Sequence, residues 1–335
     1  MDKPFISHVI EDRSFVSYLK REIHIEVSAA RLTQRQVAEI DIIVSEVTSN
    51  LIKHAGQGEI LFRINQTPTH DSFDLVCFDN GPGMLDSLRM LKDGVSTTNT
   101  LGQGLGAIGR LSSSFQLYSL RNWGTVLHSR VCSDEHNGFD VAGLEIRGLN
   151  VCKPRETVSG DGYTIKKTRT GAQIFFADGL GHGPRAKDSI DQAAITFLKS
   201  NQDDPVEIIR EIHSSVRRTR GLVGSIAVWN NKLQEWKICG VGNILTRVYT
   251  GILYKNYMSY NGTIGLNIPT SMKASTVGAE RNQHLIMCSD GLRSRWDITR
   301  YPGIHKYNLM IMAGAIYKDF VRRNDDASIL IVKVL

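Results

Sequence analysis

The sequence predicts a two-domain α+β protein in which helices pack on antiparallel sheets. Three observations carry that expectation. A chain of 335 residues exceeds the size at which a single hydrophobic core keeps growing, so each half can hold a core of its own. In the first half a segment of helical apolar period leads into segments that alternate apolar and polar residues. In the second half, short strand-like runs divided by turn formers are flanked by helical patches, the pattern of helices laid on antiparallel sheets. The polar stretch Ser133 to Gly138 interrupts both periodicities and sets the division, with domains expected at 1–133 and 139–335.

The elements follow in order. From Thr33 to His54 the apolar residues Val37, Ile40, Ile43, Val44, Val47 and Leu51 recur at spacings of three and four, the helical period. Gly56 and Gly58 end that helix, and Glu59 to Asn65 and Ser72 to Phe78 alternate as strands do. Ser96 to Gly109, rich in Ser, Thr, Asn and Gly, is expected as a loop before the strands Phe115 to Leu120 and Gly124 to Val131. Strands are then expected at Tyr163 to Lys167 and Gln173 to Ala177, and helices at Pro184 to Ser200 and Pro205 to Arg218. Several short strands, a last helix from Ile304 to Val321 and the strand Ser328 to Val334 complete the chain, with no internal repeat.

Composition narrows the class. Hydrophobic residues at 41%, charged residues at 22% and eight prolines describe an ordinary folded, soluble chain. Apolar runs such as Ser225 to Trp229 and Ile329 to Val332 fall far short of the roughly 18 residues that mark a bilayer span. Met1 to Ile10 lacks the apolar core of a secretory signal, so a cytoplasmic protein without a membrane partner is expected. Five scattered cysteines without a CxxC pair argue against a disulfide framework and against a zinc site, and are expected as buried thiols. The net charge of +6 comes from 40 basic and 34 acidic residues mixed along the chain. No nucleic-acid partner is expected on that pattern, and an acidic partner surface is favoured.

Three segments of the first half carry chemistry. Glu46, Asn50 and Lys53 share one face of the long helix, which on its own reads most simply as a solvated face. Asp79-Asn80-Gly81-Pro82-Gly83 ends a strand on a carboxylate able to accept an adenine amino group, with glycines that admit a ligand close to the backbone. A plain turn is the alternative. Gly102, Gly104 and Gly106 alternate just before an apolar stretch, where backbone amides can bind phosphate. The strand that a dinucleotide fingerprint requires immediately before them is missing.

In this order and spacing, Glu46-x-x-x-Asn50, Asp79-x-Gly81-x-Gly83 and Gly102-x-Gly104-x-Gly106 resemble the GHKL ATPases over about residues 10 to 130, and within that family the segment Glu46 to Ile60 looks closest to the RsbT-type switch kinases. The resemblance implies a Bergerat α/β sandwich that binds ATP with Mg²⁺. It makes Asn50 the Mg²⁺ ligand, Asp79 the adenine-binding residue, Gly102 to Gly106 the lid, Lys53 a phosphate contact and Glu46 the base that takes a serine proton. No phospho-acceptor histidine helix precedes the domain, which favours a serine kinase or a sequestering anti-sigma factor over a histidine kinase.

The second half holds four aspartate motifs: Ser159-Gly160-Asp161-Gly162, Ala177-Asp178-Gly179-Leu180-Gly181-His182-Gly183, Cys288-Ser289-Asp290-Gly291 and Asn324-Asp325-Asp326-Ala327-Ser328. Hard oxygen ligands at several strand ends suit Mg²⁺ or Mn²⁺, although any one Asp-Gly pair can be a hairpin turn. Their order resembles the metal-dependent phosphatases of the SpoIIE and RsbX type over residues 139 to 335. The resemblance implies an α-β-β-α sandwich, two Mn²⁺ or Mg²⁺ ions bridged by Asp178 and the Gly179 carbonyl, and Asp161, Asp290 and Asp325 completing the shells, with Asp326 as the alternative to Asp325. It also implies a metal-activated water that attacks phosphoserine. His182 stands four residues after Asp178, not two as in the eukaryotic branch, and is either an acid for the leaving group or a surface loop residue. No basic residue occupies the eukaryotic phosphate-anchor position ahead of Asp161, with Arg155 nearby.

Together the resemblances imply a bifunctional regulator of a bacterial partner-switching pathway, a protein-serine kinase and a phosphoserine phosphatase acting on a STAS-type anti-anti-sigma partner, with a sigma factor or another switch protein as a further partner. The alternative makes the first domain a non-catalytic ATP-sensing or sigma-sequestering module that governs the phosphatase. A homodimer stays open.

Overall fold

Helix formation in the first half starts from local chemistry. A computed structural model describes residues 3–66, 70–84, 104–133, 139–251 and 254–335, so Gly102, residues 96–103 of the expected loop and most of the expected linker lie outside the described residues. Thr33 caps helix α2 (Gln34–Asn50) through a capping box with Gln36: the Gln36 N–H donates to Thr33 Oγ1 at 3.2 Å, and the Thr33 N–H to Gln36 Oε1 at 2.9 Å. Its stripe of Ile40, Ile43, Val44 and Val47 is buried. After Asn50 the chain widens into a π turn, Leu51–Ala55, closed by the Gly56 N–H on the Leu51 carbonyl. Such π turns recur at functional sites.

A further helix and strand precede it, β1 (Ile6–Ile10) and α1 (Arg13–Ala29), the latter capped by Asp12. With β2 (Gly58–Gln66), β3 (Asp71–Asp79), α3 (Gly104–Leu111), β4 (Ser114–Leu120) and β5 (Gly124–Val131) they build an antiparallel sheet of order β1-β2-β3-β5-β4. Strand alternation turns Ile60, Phe62, Phe73, Leu75, Leu117 and Leu127 toward the helices, where they form one core with Leu19, Ile23 and Ile108. Gly104 to Gly109, expected as loop, are the first turns of α3.

The opposite face of that sheet is also buried, at Leu61, Val76, Phe78 and Val126. Its cover comes from far along the chain. Residues Phe5–Asn137 and Ile298–Lys318 form one compact unit, and Met1–Pro4, Gly138–Asp297 and Asp319–Leu335 the other, so the units are not contiguous in sequence as 1–133 and 139–335 would be. Asn308 caps α6 (Leu309–Phe320), accepting from the Ile311 N–H at 2.9 Å, and its own N–H donates to Gln116 Oε1 on β4. Tyr317 reaches Glu59 on β2 at 3.2 Å and packs its ring against Phe78. A Cβ added at Gly314 would stand 2.9 Å from Val126 Cγ1, so the helix approaches the sheet closely there. Leu309 to Tyr317 read Leu-Met-Ile-Met-Ala-Gly-Ala-Ile-Tyr, and a helix apolar on every side is one buried on every side.

The second unit stacks two sheets. One has the order β14-β11-β10-β9-β8 and the other β13-β12-β15-β16-β7-β6. Their strands are β6 (Phe139–Val141), β7 (Leu144–Val151), β8 (Asp161–Lys167), β9 (Gly171–Gly179), β10 (Leu222–Asn230), β11 (Glu235–Val241), β12 (Leu245–Tyr249), β13 (Tyr254–Tyr257), β14 (Ser275–Gly278), β15 (His284–Cys288) and β16 (Ala327–Val334). Ile174, Phe176, Ala227 and Trp236 from the first sheet meet Ile146, Leu285, Leu330 and Val332 from the second. Helices α4 (Pro184–Lys199) and α5 (Pro205–Ser215) cover the outer face of the first sheet, with Ile190, Phe197, Ile209 and Ile212 against Phe175, Ile226 and Cys239. Cys77, Cys239 and Cys288 are buried thiols, while Cys132 and Cys152 are half-buried, and none forms a disulfide. Among the described residues no helix is long and apolar enough to cross a membrane.

Candidate functional site

In the first unit the three glycine and carboxylate motifs meet. Glu46 and Asn50 are half-buried on the polar face of α2. A Cβ built on Gly104, the first residue of α3, would stand 2.6 Å from Glu46 Oε2 and 3.6 Å from Asn50 Nδ2, so the third motif lies directly against the first. Gly106 follows in the first turn of α3, and Gly102 lies outside the described residues. Lys53 departs from the expected helical face: it stands on the π turn, exposed, where the α-helical spacing from Asn50 no longer holds.

Asp79 closes β3, and its Oδ1 accepts the Gly81 N–H at 2.7 Å. Burial raises its pKa above the ordinary carboxylate value, opposed by that hydrogen bond, by the Lys318 cation and by Thr125. A side chain at Gly81 would press on Ala55 at 2.9 Å, and one at Gly83, whose φ is +68°, would fall on the Leu120 carbonyl. These glycines hold the Asp79 loop tight against the end of α2 and the β4–β5 hairpin.

In the second unit, antiparallel pairing sets Asp161 at the start of β8 opposite Asp178 at the end of β9. Asp290 follows β15, and Asp325 and Asp326 precede its partner β16. All these carboxylates therefore gather at one end of the two stacked sheets. Asp161 is buried, and its Oδ2 accepts no hydrogen bond. Burial, then Asp326 and Asp290, push its pKa up against the Ser289 and Ser328 hydroxyls. Asp178 is raised by burial and then by Asp161, Asp290, Asp325 and Asp326. Among the described residues no three His, Cys, Asp or Glu side chains stand close enough together to hold a metal ion as they are placed, and the raised pKa values of Asp161 and Asp178 record burial and the repulsion of neighbouring carboxylates. Hard oxygen donors with an unaccepting buried Oδ2 fit Mg²⁺ or Mn²⁺.

The two aspartates of the last motif divide. Asp326 accepts the N–H groups of Lys153 and Gly160, each at 2.8 Å, and so ties the β8 entry to the β16 entry. Asp325 keeps its side chain nearer solvent, accepting among the described residues only the Asp326 N–H at 3.0 Å. His182 lies half-exposed in the loop after Gly179, its Nδ1 2.9 Å from Glu156 Oε1.

Several positioning residues escaped the sequence reading. Ser159 Oγ donates to Asn150 Oδ1 at 2.8 Å and accepts the Asp161 N–H at 3.1 Å, while Asn150 Nδ2 donates to the Asp161 carbonyl. Asn243 stands in the turn after β11, where its Nδ2 donates to Asp290 Oδ2 at 2.8 Å. A Ser-x-Asp or Gly-x-Gly-Asn pattern is the only trace such residues leave, because their partners come from other strands. Gly291 has no room for a side chain, since a Cβ would fall on the Asp326 carbonyl oxygen. Gly291→Ala is therefore expected to lower the affinity for Mn²⁺ by about tenfold or more, the range of supporting-residue losses, as measured by metal titration of the folded variant.

Comparison with known proteins finds relatives of each half of the chain. Residues 16–130 match the histidine kinase-like ATPase domain family. The chain is 32% identical over 92 residues to the serine/threonine-protein kinase RsbT of Bacillus subtilis (strain 168), a match that takes in 28% of this chain and 69% of RsbT. It is 27% identical over 166 residues to the phosphoserine phosphatase RsbX of the same organism, covering 49% of this chain and 78% of RsbX. A crystal structure of RsbX in complex with magnesium superposes with a TM-score of 0.51 at 20% identity, over 57% of this chain and 96% of that one. The chain thus belongs, through its first domain, to the histidine kinase-like ATPase family in its RsbT form, and joins to it a domain with the fold of RsbX.

Proposed function

We propose that the chain sets the phosphorylation state of a STAS-type anti-anti-sigma protein, removing phosphate from its serine in one domain and binding ATP for serine phosphorylation in the other. The observation that carries the reading is the gathering of Asp161, Asp178, Asp290 and Asp325 at one sheet end, where burial and mutual repulsion call for cations. Asp161, Asp178, Asp290, Asp325 and the Gly179 carbonyl would hold two Mn²⁺ or Mg²⁺ ions. Such a pair supplies a water of lowered pKa and neutralises the phosphate it attacks. Asp326 and Asn150 hold the entry to β8 in register, and Asn243 orients Asp290. His182, engaged by Glu156, is left as a candidate acid for the leaving serine oxygen.

In the first domain Asn50 would carry Mg²⁺, Asp79 would receive the adenine amino group, and Gly104 and Gly106 would bring α3 over the phosphates. Glu46, one turn before Asn50, accepts the serine proton as the γ-phosphoryl group passes to that oxygen and ADP leaves. RsbT and RsbX are a kinase and a phosphoserine phosphatase, which supports opposed chemistries on one partner class.

The test is turnover of a phosphoserine STAS protein with Mn²⁺ and with chelator, each with and without ATP. Release of inorganic phosphate that needs the metal is the expected result, and a change on adding ATP reports coupling. Absence of release with Mg²⁺ and with Mn²⁺ would overturn the phosphatase reading.

A further inference from the structure

The loop that follows Asp178 is shaped around a cation with no partner in the described protein. Gly181, three residues beyond Asp178, has φ +88°, and a Cβ there would stand 2.9 Å from Nη1 of Arg220. Glycine at this position lets the guanidinium lie against the loop backbone, and any side chain would displace it.

The base of Arg220 is fixed by the sheet. Val223 pairs with Asp178 and Leu222 with Gly179, and the Leu180 N–H donates to the Gly221 carbonyl at 3.1 Å. Continuing that ladder by one step sets Arg220 beside Leu180 and Gly181, at the sheet end where Asp161 and Asp178 gather. Gly221, with φ +83°, donates its N–H to Thr219 Oγ1 at 3.1 Å, and the Leu222 N–H donates to the Ile264 carbonyl at 3.0 Å. The stem is thus held on both sides, whereas the head is exposed and makes no hydrogen bond or ion pair among the described residues. Glu156, the acid that reaches this loop, is taken by His182.

A phosphomonoester that enters an aspartate cluster needs positive charge beyond what offsets the carboxylates, and a planar guanidinium can hold two of its oxygens at once. Ser159 and Gly160, immediately ahead of Asp161, offer no cation, and Arg155 is exposed on a backbone at φ +75°. We propose that Arg220 binds the phosphoryl group of the substrate; the proposal rests on the phosphatase reading above.

The test compares wild type, Arg220→Met and Arg220→Lys, all loaded with Mn²⁺. It reads inorganic phosphate affinity by calorimetry, KM and kcat on p-nitrophenyl phosphate, Mn²⁺ affinity and melting temperature. Arg220→Met is expected to weaken phosphate binding and raise KM by about tenfold or more, as loss of a charge-assisted pair does, with Mn²⁺ affinity and melting temperature unchanged. Arg220→Lys should recover part of the loss, because charge is kept and the fork is not. Equal phosphate affinity in wild type and Arg220→Met overturns the proposal, as does a loss that tracks Mn²⁺ affinity and melting temperature. A wild type that binds phosphate through Arg220 yet hydrolyses no phosphomonoester sinks the phosphatase reading and leaves Arg220 as an anion-binding residue.

Discussion

If Asp178 holds the metal as proposed, Asp178→Asn is expected to reduce metal-dependent dephosphorylation by about a thousandfold, since losing a carboxylate that would hold the metal would remove several kcal/mol of metal-derived transition-state stabilisation. The same substitution should stabilise the metal-free protein. Burial and four neighbouring carboxylates raise the pKa of Asp178, so its ionised form opposes folding. The sign follows from proton binding: a carboxylate raised in the folded state binds its proton more tightly there than in the unfolded chain. Its favourable contribution is complete below the ordinary carboxylate pKa, near 4, and is lost as pH rises toward the raised folded value. Chelated wild type should therefore lose melting temperature as pH rises from about 4 through neutrality, and Asp178→Asn should show a shallower fall. Adding Mn²⁺ at about a hundred times its Kd should restore about 2.7 kcal/mol to the wild type and much less to the variant. Thermal melts over pH, with chelator and with Mn²⁺, check both halves. A variant that loses activity while its chelated melting curve matches wild type at every pH would separate the chemistry from the charge argument.

How much of this was legible in the sequence depends on where each residue's partner lies. Helix α2 announces itself because its cap, Thr33 with Gln36, and its stripe from Ile40 to Val47 are local. The aspartates were legible for a related reason: Asp178, Asp290 and Asp325 lie at strand ends, marked by neighbouring glycines or by the apolar strand that follows. Helix α1 was missed although Asp12 caps it and Leu19, Ile23 and Val27 repeat every four residues, because charged residues interrupt the stripe. The π turn after Asn50, which removes Lys53 from the helical face, follows from ring closure at Gly56 and leaves no periodic trace. Asn150, Ser159 and Asn243 act through partners on other strands, which no single segment encodes. The run Leu309 to Tyr317 carried a signal that went unused. A helix without a polar face has no solvent side, and in the fold its residues through Lys318 belong with the first sheet, not with the strands beside it in sequence.

Glu46→Gln is the variant that separates a kinase from a nucleotide sensor. Glutamine keeps the size of the side chain and its reach toward Gly104, where Glu46 Oε2 stands 2.6 Å from the position a Cβ would take, so the seating of α3 on α2 should survive. It removes only the ability to take a proton. If Glu46 is the base, transfer of labelled phosphate from ATP to a STAS partner should fall by about 10²- to 10⁴-fold, the usual worth of a positioned acid or base. ATP affinity, which the proposed reading assigns to Asn50, Asp79 and the glycines, should stay within about threefold, a change of under 1 kcal/mol. Retained transfer in the variant would remove Glu46 from the chemistry. A wild type that binds ATP, transfers no phosphate and alters STAS dephosphorylation when ATP is added would make the first domain a sensor of nucleotide. Asp79→Asn distinguishes the two at the level of binding. It would forfeit the carboxylate proposed to receive the adenine amino group and should weaken ATP binding whichever reading holds, so an ATP effect on phosphatase rate that is kept in Glu46→Gln and falls with ATP occupancy in Asp79→Asn would assign regulation to binding and not to transfer.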